Sequence, residues 1–141
     1  MRWFVGCAIA AAACGGAETT SPPTTAPITA AALRPDTNGG PPVIAPNRLE
    51  PLRIAGELTI TPDDDVKLAA KQTGQELHGS FKFCLDETGH LTGVTMLQTT
   101  HVESYDAKIV AAMQRWAYRP VMVDGHAIAV CSAITFIFKA R

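Results

Sequence analysis

Phe81-Lys82-Phe83-Cys84-Leu85 runs into Asp86-Glu87-Thr88-Gly89, and Leu91 to Gln98 (LTGVTMLQ) comes next. The first five residues alternate. Phe81, Phe83 and Leu85 point to one face of an extended strand, and Lys82 and Cys84 to the other. The acidic tetrapeptide has the chemistry of a turn, with Gly89 free to take positive φ. The return segment completes a β-hairpin. This hairpin fixes the fold class, because another element must cover its apolar face.

The covering element is legible from Ser104 to Arg115. Tyr105, Ile109, Ala112, Met113 and Trp116 recur at i, i+4, i+7, i+8 and i+11, which is one stripe of a helix. Ser104 suits its N-cap and Asp106 its first turn. Tyr118-Arg119-Pro120 ends it, and Asp124-Gly125 turns the chain. Ala127 to Phe138 then reads as one long strand. Ile128, Val130, Ile134, Phe136 and Phe138 share one parity; Ala129, Cys131, Ala133 and Thr135 share the other. The expected fold is α+β, with order β-β-α-β: a three-stranded antiparallel sheet with a helix on one face.

Cys84 and Cys131 select the strand order. If the last strand lay beside the second, the two cysteines would sit two strand spacings apart, about 9.5 Å. A disulfide needs Cα atoms within about 7 Å. A right-handed crossover that skips one position puts the last strand beside the first, antiparallel to it. The expected order is therefore second, first, last, with both cysteines on the sheet face away from the helix. Such a bond closes a loop of about 48 residues and is worth roughly 4 kcal/mol in the chain-entropy model. Two free thiols are the alternative. This order leaves Ala127 to Phe138 at a sheet edge, with unpaired N–H and C=O groups.

Upstream, Ile54 to Ile60 (IAGELTI) is a short strand candidate. In Thr61-Pro62-Asp63-Asp64-Asp65, Thr61 suits the N-cap and Pro62 the first position of a helix that Gly74 stops. The three aspartates are contiguous and lack calcium-loop spacing. Gly15 to Pro51 holds eight of the ten prolines, six threonines and no aromatic residue. It reads as a disordered tether of 37 residues, reaching about 35 Å as a flexible coil. Met1–Ala13 (MRWFVGCAIAAAA) carries Arg2 and an apolar run too short to span a bilayer but suited to a secretory signal. The small residues end at AAAC (Ala11 to Cys14), which resembles a bacterial lipobox; that resemblance implies cleavage before Cys14 with lipidation of the cysteine, which is favoured over ordinary cleavage near Gly15-Gly16-Ala17. The expected division is a signal over 1–13, a lipid-anchor site and linker over 14–51, and a folded domain over 52–141 with its core at 79–139.

Composition narrows the function. The chain has 141 residues, with 12 Lys plus Arg against 13 Asp plus Glu, a formal net charge of −1. That balance argues against a nucleic-acid binder. Apart from Trp3 and Phe4, every aromatic residue lies after position 80. His78, His90, His101 and His126 show no HExxH or compact zinc spacing. Ser80 and Ser132 lack a nucleophile-elbow context. No P-loop, dinucleotide fingerprint, CxxC or haem motif is present. The reading is of a non-enzyme with no cofactor and no metal.

The stretch from Ser80 to Lys139 resembles the C-terminal domain of the TonB energy-transducer family. The resemblance is carried by FKFCLDETGH (Phe81 to His90), LTGVTMLQTT, YDAKIVAAMQRWAYRP (Tyr105 to Pro120), the Asp-Gly turn and IAVCSAITFIF (Ile128 to Phe138). The helix exit Trp116-x-Tyr118-Arg119-Pro120 is its most specific part. The cysteine pair and the Thr-Pro-Asp helix look like a variant found in exported proteins of myxobacteria. The lipoprotein pattern, without Asp after Cys14, points to the outer membrane.

The resemblance implies a periplasmic binding domain whose last strand takes an extended peptide of an outer-membrane receptor by β-augmentation. Ala127, Ala129, Cys131, Ala133 and Thr135 are the expected edge contacts, with Trp116, Tyr118, Arg119 and Pro120 as a flanking patch. Energy-transducing members carry an N-terminal transmembrane helix. This chain has a cleavable-looking leader and a short spacer, so a binding lipoprotein is the expectation. The alternative is a structural envelope lipoprotein that packs through the Trp116–Tyr118–Arg119 patch.

Overall fold

The computed structural model describes residues 27–141. In chain order the elements are β1 (Leu33–Arg34), β2 (Val43–Ile44), α1 (Pro46–Leu49), β3 (Arg53–Ala55), α2 (Asp64–Thr73), β4 (Glu76–Leu85), β5 (Leu91–Gln98), α3 (Glu103–Met113), β6 (Ala117–Tyr118), β7 (Val121–Val123), β8 (His126–Ile128) and β9 (Val130–Lys139).

The centre of the fold is β4. Its alternation buries Leu77, Phe81, Phe83 and Leu85 on one face. It pairs antiparallel with β9 over ten residues, from Glu76↔Lys139 to Leu85↔Val130, and with β5 on its other side. The sheet is not the expected three-stranded antiparallel one: it has five strands in the order β1-β2-β9-β4-β5, and β2 joins β9 in parallel. Within it the second, first and last strands of the expected frame stand in the expected order. Cys84 lies directly opposite Cys131, with Cα atoms 4.0 Å apart and the sulfurs bonded.

The turn between β4 and β5 is built by Asp86. Its carboxylate accepts N–H bonds from Thr88 (2.9 Å) and His90 (3.0 Å). Those bonds, with the Thr88 hydroxyl first among them, hold the Asp86 carboxyl below its ordinary range. Gly89 has φ 86°, and a Cβ there would lie 2.1 Å from the Tyr118 carbonyl oxygen. Only glycine lets this turn press against β6.

Helix α3 lays Tyr105, Ile109 and Met113 onto the sheet. Asp106, also buried, accepts hydrogen bonds from Thr99 Oγ1 and from the Thr100 N–H (2.9 Å). Burial pushes its carboxyl up, but these bonds outweigh that and hold it below the ordinary value. Gly74, in the left-handed conformation, caps α2 at the expected place. The start of α2 differs from expectation. Asp63, not Thr61, is the capping position, and Pro62 is buried just before it.

Four other expectations are corrected. Residues 27–51 are not a free tether. Ile28, Ile44 and Leu49 are part of the main core, so the folded unit begins well before residue 52. Apolar side chains scattered among prolines pack into the same core as the sheet and helix, and the extended backbone that proline favours suits a sheet edge. Second, the strand expected over Ile54–Ile60 shrinks to Arg53–Ala55. Gly56, at φ 104°, turns the chain across Trp116, and a Cβ there would lie 2.1 Å from the indole ring. The Glu57 and Ile60 carbonyls then accept bonds from Trp116 Nε1 (2.9 Å) and the Tyr105 hydroxyl (2.7 Å). Third, the last strand is interrupted at Ala129. Asp124 and Gly125, at φ 50° and 81°, make a tight turn that pairs β8 with β7 instead. The β-β-α-β frame therefore carries three short strands between its helix and its last strand. Fourth, β9 is not an edge along its whole length, because β2 lies against its first residues.

Candidate functional site

The site is set by the edge of β9. At its start, Val43 of β2 lies opposite Cys131 in parallel register. The Cys131 N–H donates to the Pro42 carbonyl (2.9 Å), and the buried Ser132 hydroxyl donates to the Ile44 carbonyl (2.7 Å). Pro42 has no N–H to leave unpaired but supplies an acceptor. Asp36 anchors the covering segment through Lys82 at 2.7 Å. The Lys82 ammonium, with the Asn38 N–H, holds the Asp36 carboxyl below its usual value.

Beyond Ser132 the cover ends. Among the described residues, no strand pairs with the outer side of β9 from Ala133 to Lys139. The β4–β9 register runs without a bulge. Cys131 sends its N–H outward, so alternation sends those of Ala133, Thr135, Ile137 and Lys139 the same way. The edge is thus a row of free donors and acceptors about 23 Å long. Ala133, Thr135 and Ile137 are exposed on the outer face, Ile137 at 63%. On the helix side, Ile60, Tyr105, Ile134, Phe136 and Phe138, together with Thr59 and Thr61, line a depression of mixed polar and apolar character beside the same backbone.

The expected site residues divide. Cys131, Ala133 and Thr135 stand on this strand, with Cys131 buried under the covering segment and the Thr135 hydroxyl 2.8 Å from Ser80 Oγ. Ala127 lies in β8 and Ala129 at the break, both off the open edge. Trp116 and Tyr118 are 2% and 4% exposed. They pack around Phe83, Trp116 edge-on at 5.5 Å and Tyr118 stacked at 6.0 Å. Burial pushes the Tyr118 hydroxyl up to about 12. These rings are core, so the flanking patch reduces to Arg119 and Pro120. Arg119 is itself tied down: its N–H bonds the Leu52 carbonyl (2.7 Å) and its guanidinium the Pro51 carbonyl (2.9 Å). Cys14 lies outside the described residues.

Sequence reasoning missed Ile137, Arg34 and Arg48. Ile137 interrupts the alternation of Ile134-Thr135-Phe136, an available signal for an exposed apolar contact. Nothing near Arg34 or Arg48 in sequence signals that they line, with Ala133, the depression where β2 ends. A second edge exists at β5, where Met96 and Leu97 are exposed and Met96, Ala107, Val110 and Ala111 line an apolar groove. Among the described residues no group of histidine, cysteine and carboxylate side chains is placed to hold a metal ion. Nor, among them, is any helix long and apolar enough to cross a membrane.

Fold and site together define an α+β domain with a half-covered sheet edge. No family model matches the chain, and no curated protein does. Among solved structures it is similar to the solution NMR structure of Pseudomonas aeruginosa TonB CTD, with 20% sequence identity and a TM-score of 0.47. The similarity covers 62% of this chain and 83% of the other.

Proposed function

We propose that this protein is a non-enzymatic, TonB-like interaction module of the periplasm. It captures an extended segment of an outer-membrane receptor or another envelope protein by adding it as a strand to β9. The single observation that carries this reading is the open backbone from Ala133 to Lys139. Main-chain groups give such a site affinity, and the depressions flanking alternate residues give it selectivity. The sequence motifs from Phe81 to Phe138 support the same reading. Lipidation of Cys14 would tether the domain to the outer membrane. The packing alternative keeps only Arg119 of its expected patch, since Trp116 and Tyr118 are buried.

The test is photo-crosslinking in cells from Ala133 and Thr135, with Ala127 as the off-edge position. The expected result is adducts to one extended segment of an envelope protein from the first two positions and none from the third. Adducts only from Ala127, or from no position, would sink the proposal.

A further inference from the structure

The opposite edge of the sheet is β5. Among the described residues no strand pairs with its outer side. Edge strands are ordinarily blunted by charge, proline or bulges. Leu91–Gln98 (LTGVTMLQ) holds no charged residue and no proline. Its register with β4 shifts near either end, and the stretch from Gly93 to Met96 between the shifts is regular. Met96 and Leu97 are 46% and 59% exposed. Beside this stretch, Met96 lines an apolar groove with Ala107, Val110 and Ala111 of α3. The two alanines are exposed and Val110 is half-buried. A strand edge and a helix flank, both lacking a partner among the described residues, thus stand side by side. This surface shares no residue with the open half of β9.

We infer that β5 and this groove take a second copy of the chain, antiparallel and edge to edge, about a two-fold axis through Thr95. The hydrogen-bond directions follow from Cys131, whose N–H points away from β4. Ser132 therefore bonds inward to Phe83, Lys82 bonds to Thr95, and Val94 and Met96 turn their N–H and C=O groups outward. In a pair centred on Thr95, Val94 of each copy lies opposite Met96 of the other and exchanges both backbone bonds with it. The two threonines meet on the axis, a favourable cross-strand pair. An axis perpendicular to the sheet sets the two α3 helices antiparallel on one face. Met96 adjoins the axis and shares its groove with Ala107, Val110 and Ala111, so the helices meet near their middles, where the alanines permit close approach. Glu103 and Arg115 are equidistant in sequence from Ile109, so each Glu103 meets the Arg115 of the other copy. Both are exposed, and neither has an ion-pair partner among the described residues. That self-complementarity favours a second copy over an unrelated protein, and a net charge of −1 leaves little repulsion between copies. The pairing is independent of the β9 reading and leaves both β9 edges free at the outer ends of one continuous sheet.

The test uses the full chain with Cys7→Ser and Cys14→Ser and the Cys84–Cys131 bond formed. Sedimentation equilibrium from about 1 µM to about 1 mM should show the mass rise from 15.0 kDa towards twice that value. Glu103→Arg or Arg115→Glu alone should weaken association about tenfold, since each reverses two symmetry-related charge pairs. Mixing these two single variants should restore it, which a mere folding defect would not allow. Thr95→Cys should cross-link to its counterpart under mild oxidation, because facing residues of such a pair have Cα atoms about 4.5 Å apart. Thr88→Cys, in the turn between β4 and β5, should not. A mass that stays at 15.0 kDa throughout would overturn the inference and leave the groove to a different protein. So would a dimer that neither charge reversal weakens, or one that Thr88→Cys links as readily as Thr95→Cys, since the copies would then meet elsewhere.

Discussion

Strand β9 has two halves with different neighbours. From Val130 to Ser132 it is buried, bonded to Cys84 through its cysteine, and covered by Pro42 to Ile44. From Ala133 to Lys139 it keeps the same register with β4, yet its outer backbone is open. The first half is the scaffold and the second is the site. A peptide-accepting edge must be straight and rigid before its partner arrives, or the ordering cost falls on binding. Anchoring one half covalently and by packing lets the other stay exposed without fraying.

Breaking the anchored half should have the largest effect. Cys84→Ser with Cys131→Ser releases a cross-link between residues 47 apart. It should cost about 2–4 kcal/mol in urea unfolding, with the oxidised parent compared under the same conditions. An unchanged unfolding midpoint would mean that β9 is held without it. Next is Ile44→Ala, which empties a side chain 1% exposed. It should cost about 2–4 kcal/mol and speed amide exchange at Cys131, whose N–H donates to Pro42. If the segment were merely resting on the edge, neither change would appear.

The open half should respond in the opposite way. Thr135→Pro removes an outward N–H and the hydroxyl contact with Ser80 but no backbone bond to β4, so stability should fall by about 1 kcal/mol. Peptide capture should nonetheless be lost. A folded Thr135→Pro variant that still bound would move the site elsewhere, and β5 is the obvious place. The smallest effect is on pH dependence at Asp36. Its folded pKa is lowered by Lys82, so the stability of that contact is present above the ordinary carboxylate value near about 4 and is lost as pH falls through the folded value. Denaturant midpoints at pH 7 and pH 3 should therefore differ less in Asp36→Asn than in the parent.

The same contrast separates what is legible in the sequence from what is not. The alternation of Phe81 to Leu85, the stripe from Tyr105 to Met113, the left-handed stop at Gly74 and the Asp124-Gly125 turn are local signals, and each element stands where they point. The cysteine pairing is legible because strand spacing leaves one workable order. The covering segment is not. Ile28, Ile44 and Leu49 have no period, and their partners lie far along the chain. The break at Ala129 is hidden because Ala127 to Phe138 reads as one alternating run, while the turn before it claims the first three residues for β8. Trp116 and Tyr118 resemble a surface patch as long as the residues that bury them, around Gly56, read as a strand. At the site, Ala133 and Thr135 are legible from parity alone. The place of Arg34 and Arg48 beside Ala133 is not, since it depends on where the covering segment comes to rest.

The central claim, that the open half of β9 receives the peptide, is tested most directly by backbone hydrogen exchange on the full chain with and without a synthetic extended peptide rich in β-branched residues. New protection is expected at Ala133, Thr135 and Ile137, with Cys131 protected in both states and β5 unchanged. Protection confined to Leu91–Gln98, or none at Ala133, Thr135 and Ile137, would contradict it.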